Sequence, residues 1–433
     1  MRPTLLLPLL CIGWALLGVA CSVGLLPADT WWTMGAALVL VSLVDAWRVR
    51  RLAAPDVVRD VPDALPVGVQ RTVTLALDNG PRTLRVDVHD LHPEAWAIEG
   101  LPRTLQLAAE STTRLHYALR PTARGDAVFA GVQLRVHSPW RLWRRSHSVA
   151  ARQTVRVFPN FAPLAKLAML GSEQASRTVG AHIRRRRGEG TDFHQMRDYR
   201  VGDSLRQIDW KATARMRRLI SREYQDERNQ QLVMLIDTGR RMLARDGALT
   251  HFDHVLDAAL VVSYLALREG DAVGLLASGG AQRWVAPQRG GGAIDVLLRA
   301  SYDLQPQPVA TDYLAAATEL SLRQRRRSLV MLVTNLRDED IDDLLAAVRM
   351  LQQRHHVVVA SLREEALDAV LETDVHSLHN ALRAAATARY LQQRSAAHDL
   401  LRAQRVSVLD VTCAQLPGAL VERYLAIKRE GLL

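Results

Sequence analysis

The start of this 433-residue chain restricts it most: Leu5 to Leu26 is 22 residues without a charge. Wound as an α-helix, that stretch measures about 33 Å, enough to cross a hydrocarbon core of ~30 Å. Pro27-Ala28-Asp29-Thr30 breaks the run, and Trp31 to Val44 is apolar again. The second run ends at Asp45-Ala46-Trp47, with Arg48, Arg50 and Arg51 immediately after it. Trp31, Trp32 and Trp47 are of the residue type that collects at membrane interfaces. Residues 1–51 therefore read as a transmembrane helical hairpin with a very short outer loop. The arginines place the chain from Leu52 onward in the cytoplasm, with Arg2 on the same side. A cleaved signal peptide would want a more basic start and no second apolar run, and a lipoprotein signal ending at Cys21 would want Leu where Gly18 stands.

Charge and cysteine content narrow the rest. The chain carries 56 Lys+Arg against 45 Asp+Glu, a net charge of +11. Lys166, Lys211 and Lys428 are the only lysines, so arginine supplies almost all of the surplus. A basic balance invites a nucleic-acid or membrane reading. Aromatic residues are only 5% of the chain, so platforms for stacking bases are scarce. Cys11, Cys21 and Cys413 form no CxxC and no Cys/His cluster, which leaves a zinc finger or disulfide scaffold unsupported.

Residues 52–160 alternate. Val73, Leu75 and Leu77 share one face, as do Leu84, Val86 and Val88, then Leu115, Tyr117 and Leu119, then Val132, Leu134 and Val136. Period two with polar partners predicts half-buried strands and a small β-sandwich. Asp78-Asn79-Gly80 predicts a tight hairpin between the first two runs.

Residues 161–229 form a basic connector. It holds Arg184–Arg187, then Arg197-Asp198-Tyr199-Arg200-Val201-Gly202-Asp203, then Arg206 and Ile208-Asp209-Trp210-Lys211-Ala212. Its alternating charge around few apolar anchors fits either a strap docked on the next domain or a partner-binding surface, since Arg and Trp dominate interface hot spots.

Residues 230–433 alternate strand and helix patterns. Gln231–Ile236, Asp271–Ala277, Ser328–Thr334, His355–Ser361 and Val406–Val411 are near-continuous apolar runs. The helical patterns between them predict a doubly wound, mostly parallel α/β sheet covered on both faces. Such sheets bind ligands beyond the carboxyl ends of their strands, where the strand order reverses. Asp237 and Thr334-Asn335-Leu336-Arg337-Asp338 end the two strands that would meet there. The chain has no GxGxxG after the first strand, no GxxxxGK[ST], no HExxH and no nucleophile elbow, so neither a dinucleotide site nor an enzyme is expected.

The stretch Gly190 to Arg215, with Tyr199, Gly202-Asp203, Arg206, Ile208-Asp209-Trp210-Lys211-Ala212 and Ala214-Arg215, resembles the signature of the bacterial family called domain of unknown function 58. Arg124-Gly125, Ser138-Pro139-Trp140-Arg141-Leu142 and the two-helix start resemble that family too. Asp192 stands where the family usually has Glu, and Thr213 where it often has Ser. The resemblance implies a von Willebrand factor type A-like domain in residues 230–433, in which a metal-ion-dependent adhesion site would hold Mg²⁺ through Asp-x-Ser-x-Ser, a middle Thr and a later Asp. Here Asp237 keeps the first position, but Gly239 and Arg241 occupy the serine positions and no middle threonine appears near Gly290. Asp237, Thr334 and Asp338 (or Asn335) remain as candidate ligands of a degenerate site, so no cofactor is expected. Arg240 or Arg241 would stand in for the cation, pairing with Asp237 or with an acidic partner.

The resemblance also implies a non-enzymatic adaptor or scaffold in the bacterial inner membrane, acting with a MoxR-type AAA+ ATPase in assembling or activating other complexes. Tyr199, Asp203, Arg206, Asp209, Trp210, Lys211, Arg240 and Arg241 are the expected contact residues. Nucleic-acid binding through Arg184–Arg187, Arg215–Arg218 and Arg323–Arg327 is the alternative from another class.

Overall fold

The computed structural model describes residues 1–163, 165–166, 192–200, 208–225, 230–247 and 249–431. The chain divides into two compact units, Met1–Phe158 and Pro159–Leu433.

The first unit opens with helices α1 (Leu6–Ser22) and α2 (Ala28–Arg50). The turn between them uses Gly24 at φ +79°, a conformation that side chains with a Cβ rarely adopt. The helices meet through aromatic rings seated on glycines. Trp14 stacks on Trp31 with centroids 4.9 Å apart and donates its Nε1–H to the Trp31 carbonyl at 3.0 Å. A Cβ on Gly35 would come within 2.8 Å of the Trp14 ring, and one on Gly18 would come equally close to Trp31 Nε1. α2 is long and apolar enough to cross a membrane, whereas α1 is shorter than the apolar run predicts. Leu9, Leu16, Val39, Leu40 and Leu43 face outward, away from the fold.

The β-part of this unit holds a four-stranded, a five-stranded and a three-stranded sheet around one core. All four alternating triplets lie in that core. The expected hairpin at Asp78-Asn79-Gly80 is not formed. Arg71–Asp78 pairs with Asp56–Asp60 and Thr112–Arg120, while Leu84–Leu91 pairs in the other sheet with Gly131–His137 and Arg103–Leu107. Asn79 explains the switch: its amide donates to the Arg82 and Ala108 carbonyls at 2.8 and 2.6 Å, so the chain crosses between sheets and does not double back. The two runs face each other across the core, and alternation alone does not distinguish facing strands from neighbouring ones.

The helices are tied to this β-part by Asp45, which is buried near the end of α2. Its carboxylate accepts from Ser138 Oγ, from the Trp140 N–H at 3.1 Å and from the Leu142 N–H at 3.2 Å. Trp143 Nε1 donates to the Ser42 carbonyl at 3.1 Å, and Arg2–Pro3 pairs antiparallel with Trp143–Arg144. The Ser138–Leu142 turn is thus a cradle for one carboxylate.

In the second unit, strands Asp192–Asp198 and Ile220–Gln225 form an antiparallel hairpin that carries helix α3 (Trp210–Met216). The main sheet follows: β1 (Gln231–Asp237), β2 (Ala272–Ser278), β3 (Arg283–Gln288), β4 (Leu329–Thr334), β5 (His356–Arg363) and β6 (Ser407–Thr412). The spatial order is β3-β2-β1-β4-β5-β6. All neighbours are parallel except β3, which runs antiparallel to β2. Its helices are α4 (His251–Arg268), α5 (Ala293–Ser301), α6 (Tyr313–Arg323), α7 (Ile341–Gln352), α8 (Glu365–Glu372), α9 (Leu378–Ala403) and α10 (Leu416–Glu430). Leu232, Met234 and Ile236 of β1 pack with α4, α5 and α10, whereas Val233 and Leu235 pack with α6, α7 and α9. The order reverses between β1 and β4, so their carboxyl ends frame the crevice.

Asp45→Ala removes the acceptor for three donors, so it should cost about 3 kcal/mol at ~1 kcal/mol per hydrogen bond. Limited trypsin digestion of the full chain should then cut faster at Arg48, Arg50 and Arg141; an unchanged digestion rate would show that the cradle does not hold α2.

Candidate functional site

The crevice is organised by Asp237, the last residue of β1, which is buried. Oδ1 accepts from the Gly239 N–H at 2.7 Å and from the Thr311 hydroxyl at 2.5 Å. Oδ2 accepts from the Thr334 hydroxyl at 2.7 Å and from the Tyr313 hydroxyl at 3.3 Å. Tyr313 and Thr334 also contact each other at 2.8 Å. A carboxylate offers about four lone-pair positions, and neutral donors occupy all of them here. Burial, and then the charge of Asp237, raise the Tyr313 phenol well above its usual value, which keeps it a donor.

Tight backbone makes this arrangement possible. A Cβ on Gly239 would run into Thr311 Oγ1, and one on Gly279, at φ +117°, would lie 2.6 Å from the same atom. The loop after β2 is fixed by Thr238, whose hydroxyl donates to the Ala281 carbonyl and accepts from the Gly280 N–H. Asp312 caps α6 by accepting from the Ala315 N–H at 2.7 Å, which sets Thr311 and Tyr313 on either side of the cap.

Arg240 and Arg241 open a short 3₁₀ turn, Arg240–Leu243, and both point to a second such turn, Asp338–Asp340. Arg241 bonds Glu339, and it bonds Asp340 through Nε at 3.2 Å and a terminal nitrogen at 2.9 Å. Arg240 lies 3.7 Å from Glu339. Burial holds the Asp340 carboxyl above its usual value even beside Arg241, whereas the hydrogen bond from Arg241 holds exposed Glu339 below its own. The arginine found at the site therefore has acidic partners within the chain, and neutral donors serve Asp237. Asp338 is exposed. Asn335, the other candidate for the last ligand, turns away: its amide donates to Glu364 Oε1 at 2.9 Å and its oxygen accepts from Arg394.

These residues do not fit a Mg²⁺ ion of the adhesion-site kind. Such a site needs several free oxygens in an octahedron. Here one carboxylate is in place with both oxygens engaged, the first serine position is a glycine whose side-chain space is filled by Thr311, and the second is a paired arginine. Among the described residues no cluster of three or more His, Cys, Asp or Glu side chains is placed to hold a metal.

The connector motif divides into buried and exposed parts. Asp209 is buried, caps α3 by accepting from the Ala212 N–H at 3.0 Å, and donates its own N–H to the Ile220 carbonyl. Thr213 Oγ1 accepts from the Ile220 N–H, which ties α3 to the hairpin. Tyr199 is half-buried and its N–H bonds the Leu219 carbonyl at 2.9 Å. Trp210, in contrast, is 67% exposed, with Met216 and Leu219 also exposed and Lys211 and Arg215 beside them in sequence. Asp203, Arg206 and Arg184–Arg187 lie outside the described residues. The expected site residues thus fall into two groups, one on α3 and its hairpin and one at the carboxyl ends of β1 and β4.

Thr311 and Tyr313 escaped the sequence reading. The resemblance implies a middle threonine near Gly290, whereas the threonine that reaches Asp237 lies in the loop before α6. The available signal was Thr311-Asp312 directly ahead of an apolar-periodic segment, a helix-start pattern.

Beside the crevice, Arg394 of α9 is buried and bonds Asp410, Ser361, Asn335 and the Leu336 carbonyl. His398, one turn on, is buried too; burial first, and then Arg394, push its pKa down to about 4.

Residues 195–406 match the model of the family described as "Protein of unknown function DUF58". The match takes in most of the hairpin, α3 and the sheet up to the residue before β6. The β-part and the N-terminal helices lie outside it. No curated protein matches the chain. Among solved structures, the ASH/PapD-like domain of human CEP192 (PapD-like domain 7) is 12% identical, with a TM-score of 0.18 over 25% of this chain and 88% of that one. Native α2-macroglobulin from Escherichia coli, spanning domain MG7 to the C-terminus, is 16% identical, with a TM-score of 0.19 over 24% of this chain and 17% of that one. The FixG-related protein from Vibrio parahaemolyticus is 12% identical, with a TM-score of 0.17 over 24% of this chain and 94% of that one.

Three outcomes are expected. Asp237→Ala leaves four donors without their acceptor, which should cost about 4 kcal/mol at the same ~1 kcal/mol per bond and lower the Tm of the second unit by roughly 10 °C. Millimolar Mg²⁺ should leave the wild-type Tm unchanged, and a rise that Asp237→Ala abolishes would overturn the poor fit to a metal. The pH profile has a definite sign. His398 stays neutral in the fold down to pH about 4, whereas in the unfolded chain it takes a proton below about 6.5. Stability is therefore complete above that unfolded value and falls between pH ~6.5 and ~4. Thermal melts of His398→Gln should show a shallower fall over that window.

Proposed function

We propose that the protein is a membrane-anchored, non-enzymatic adaptor with a von Willebrand factor type A-like domain, acting with a MoxR-type AAA+ ATPase in assembling or activating other complexes. The observation that carries this reading is the Asp237 centre, at the place where a doubly wound sheet would present its chemistry. There the carboxylate is saturated by neutral donors and the neighbouring guanidinium is consumed by Glu339 and Asp340. Such a centre holds loops in place, with its carboxylate and its guanidinium already engaged within the chain. The outer surface of α3 supports the adaptor reading from another side. Exposed Trp210, Met216 and Leu219 share this short segment with exposed Lys211, Arg215 and Arg217, residue types that suit a contact with an acidic protein face. The outward-facing apolar residues of α1 and α2 support anchoring as a two-pass hairpin in the bacterial inner membrane, with the bulk of the chain in the cytoplasm.

The test is capture of the ATPase by the full chain. Trp210→Ala should weaken capture at least ~tenfold, a loss of the size expected of an interface hot spot. Its Tm should not move, because the side chain is exposed. Asp209→Ala should instead lower stability by about 1 kcal/mol through loss of the α3 cap. Full capture by both Trp210→Ala and Trp210→Asp would remove α3 as the contact surface.

A further inference from the structure

The ends of α1 and α2 that meet the β-part carry a concentration of arginine and tryptophan that neither sequence segment shows alone. Arg48, Arg50 and Arg51 close α2, and the cradle around Asp45 brings Trp140, Arg141, Arg144 and Arg145 to the same level. Arg2, ahead of α1, joins them through its pairing with Arg144. The Arg48 guanidinium lies over the Trp140 ring at 5.1 Å and that of Arg51 over Trp47 at 3.9 Å. Trp47 and Trp140 are 54% and 44% exposed. The carboxylate that joins α2 to this turn, Asp45, is buried in its three hydrogen bonds. Among the described residues no ion pair with a carboxylate holds Arg48, Arg141 or Arg144. The opposite ends of the helices, around Val23–Pro27, carry no cation, and Asp29 stands there. An outward-facing apolar belt thus ends, at one level only, in a collar of arginines and amphipathic tryptophans.

We propose that this collar is a binding surface for the phosphate-bearing headgroups of anionic phospholipids, so that the Ser138–Leu142 turn and the start of the Trp143–Val149 strand rest on the leaflet that α1 and α2 enter. This rests on the membrane-anchored reading and adds the lipid class and the residues that select it. Exposed guanidinium groups pair with phosphate oxygens through two parallel N–H donors, and tryptophan rings sit at headgroup depth. Each arginine near an anionic surface contributes about fivefold in affinity, and salt weakens the attraction. The cradle matters because it fixes Arg141, on the turn, and Arg144 and Arg145, on the strand, beside the end of α2.

The experiment uses the full chain in non-ionic detergent, titrated with dioctanoyl-phosphatidylglycerol, dioctanoyl-phosphatidylcholine or inorganic phosphate. Bound lipid is counted by native mass spectrometry and tryptophan fluorescence is followed in parallel. Phosphatidylglycerol should bind at least ~tenfold more tightly than phosphatidylcholine, and the combined Arg48→Gln, Arg141→Gln and Arg144→Gln variant should lose roughly hundredfold of that affinity. The matching triple lysine variant should retain the preference, which separates loss of charge from loss of fold. Equal binding of the two lipids, an unaltered preference in the glutamine variant, or displacement by an equal concentration of inorganic phosphate would each overturn the proposal. Alkaline carbonate extraction tells the two failures apart. A chain released from membranes by carbonate ends the anchored reading and the collar with it, whereas a retained chain with no lipid preference ends the collar alone.

Discussion

One buried carboxylate, that of Asp237, decides how the second unit closes. It sits where strand order reverses, and it draws on the turn after β1, the loop before α6 and the end of β4. The first two of those segments have no regular ladder of their own to hold them, whereas Thr334 is fixed in the β4–β5 ladder. A charge taken out of water is tolerated only when donors surround it, and here four do so without any countercharge. The glycines at 239 and 279 follow from this, since a Cβ at either would enter the space of the Thr311 hydroxyl. The glycine that breaks the Asp-x-Ser-x-Ser pattern is the residue that admits a threonine from another loop.

A similar arrangement recurs in the first unit on a smaller scale. Asp45 is held by one side chain and two backbone N–H groups of a five-residue turn. In both units a carboxylate at the end of a regular element gathers irregular chain around itself. Irregular backbone must find partners for its N–H groups, and an anion that accepts several at once is an economical solution.

Much of the fold was legible because regular structure repeats. The apolar runs of β1, β4 and β5 and the period-two triplets of the β-part all mark buried residues. Strand partners were less legible. Asp78-Asn79-Gly80 has the composition of a hairpin, but the Asn79 amide takes carbonyls at 82 and 108, a long-range choice that composition does not encode. At the candidate site, Asp237 and Thr334 stood out because they end strands, whereas Thr311 lies in an irregular loop and meets Asp237 only through the topology. Asn335 and Asp338, equally plausible by position, turned elsewhere because Glu364 and Arg394 claim the first and water reaches the second. The connector motif was legible as a unit but not in its division of labour. Helix capping absorbs Asp209, and its neighbour in sequence is left facing outward.

The seating of Trp14 on Gly35 and Trp31 beside Gly18 has a mechanical consequence. Each ring fills the space that a side chain would otherwise take, so neither helix can rotate about its own axis without driving indole into a Cβ. Sliding along the axis meets the same obstacle, because Trp31, Leu38 and Val39 lie one turn to either side of Gly35 on its face of the helix. The remaining easy motion is a tilt of the two helices together, as one stiff rod. Through Asp45, the Trp143–Ser42 bond and the Arg145–Arg50 bond that rod is joined to the β-part at several neighbouring points, so the joint is a stiff seat and not a flexible tether. A displacement felt at one end of α2 is passed to the β-part as a change of angle.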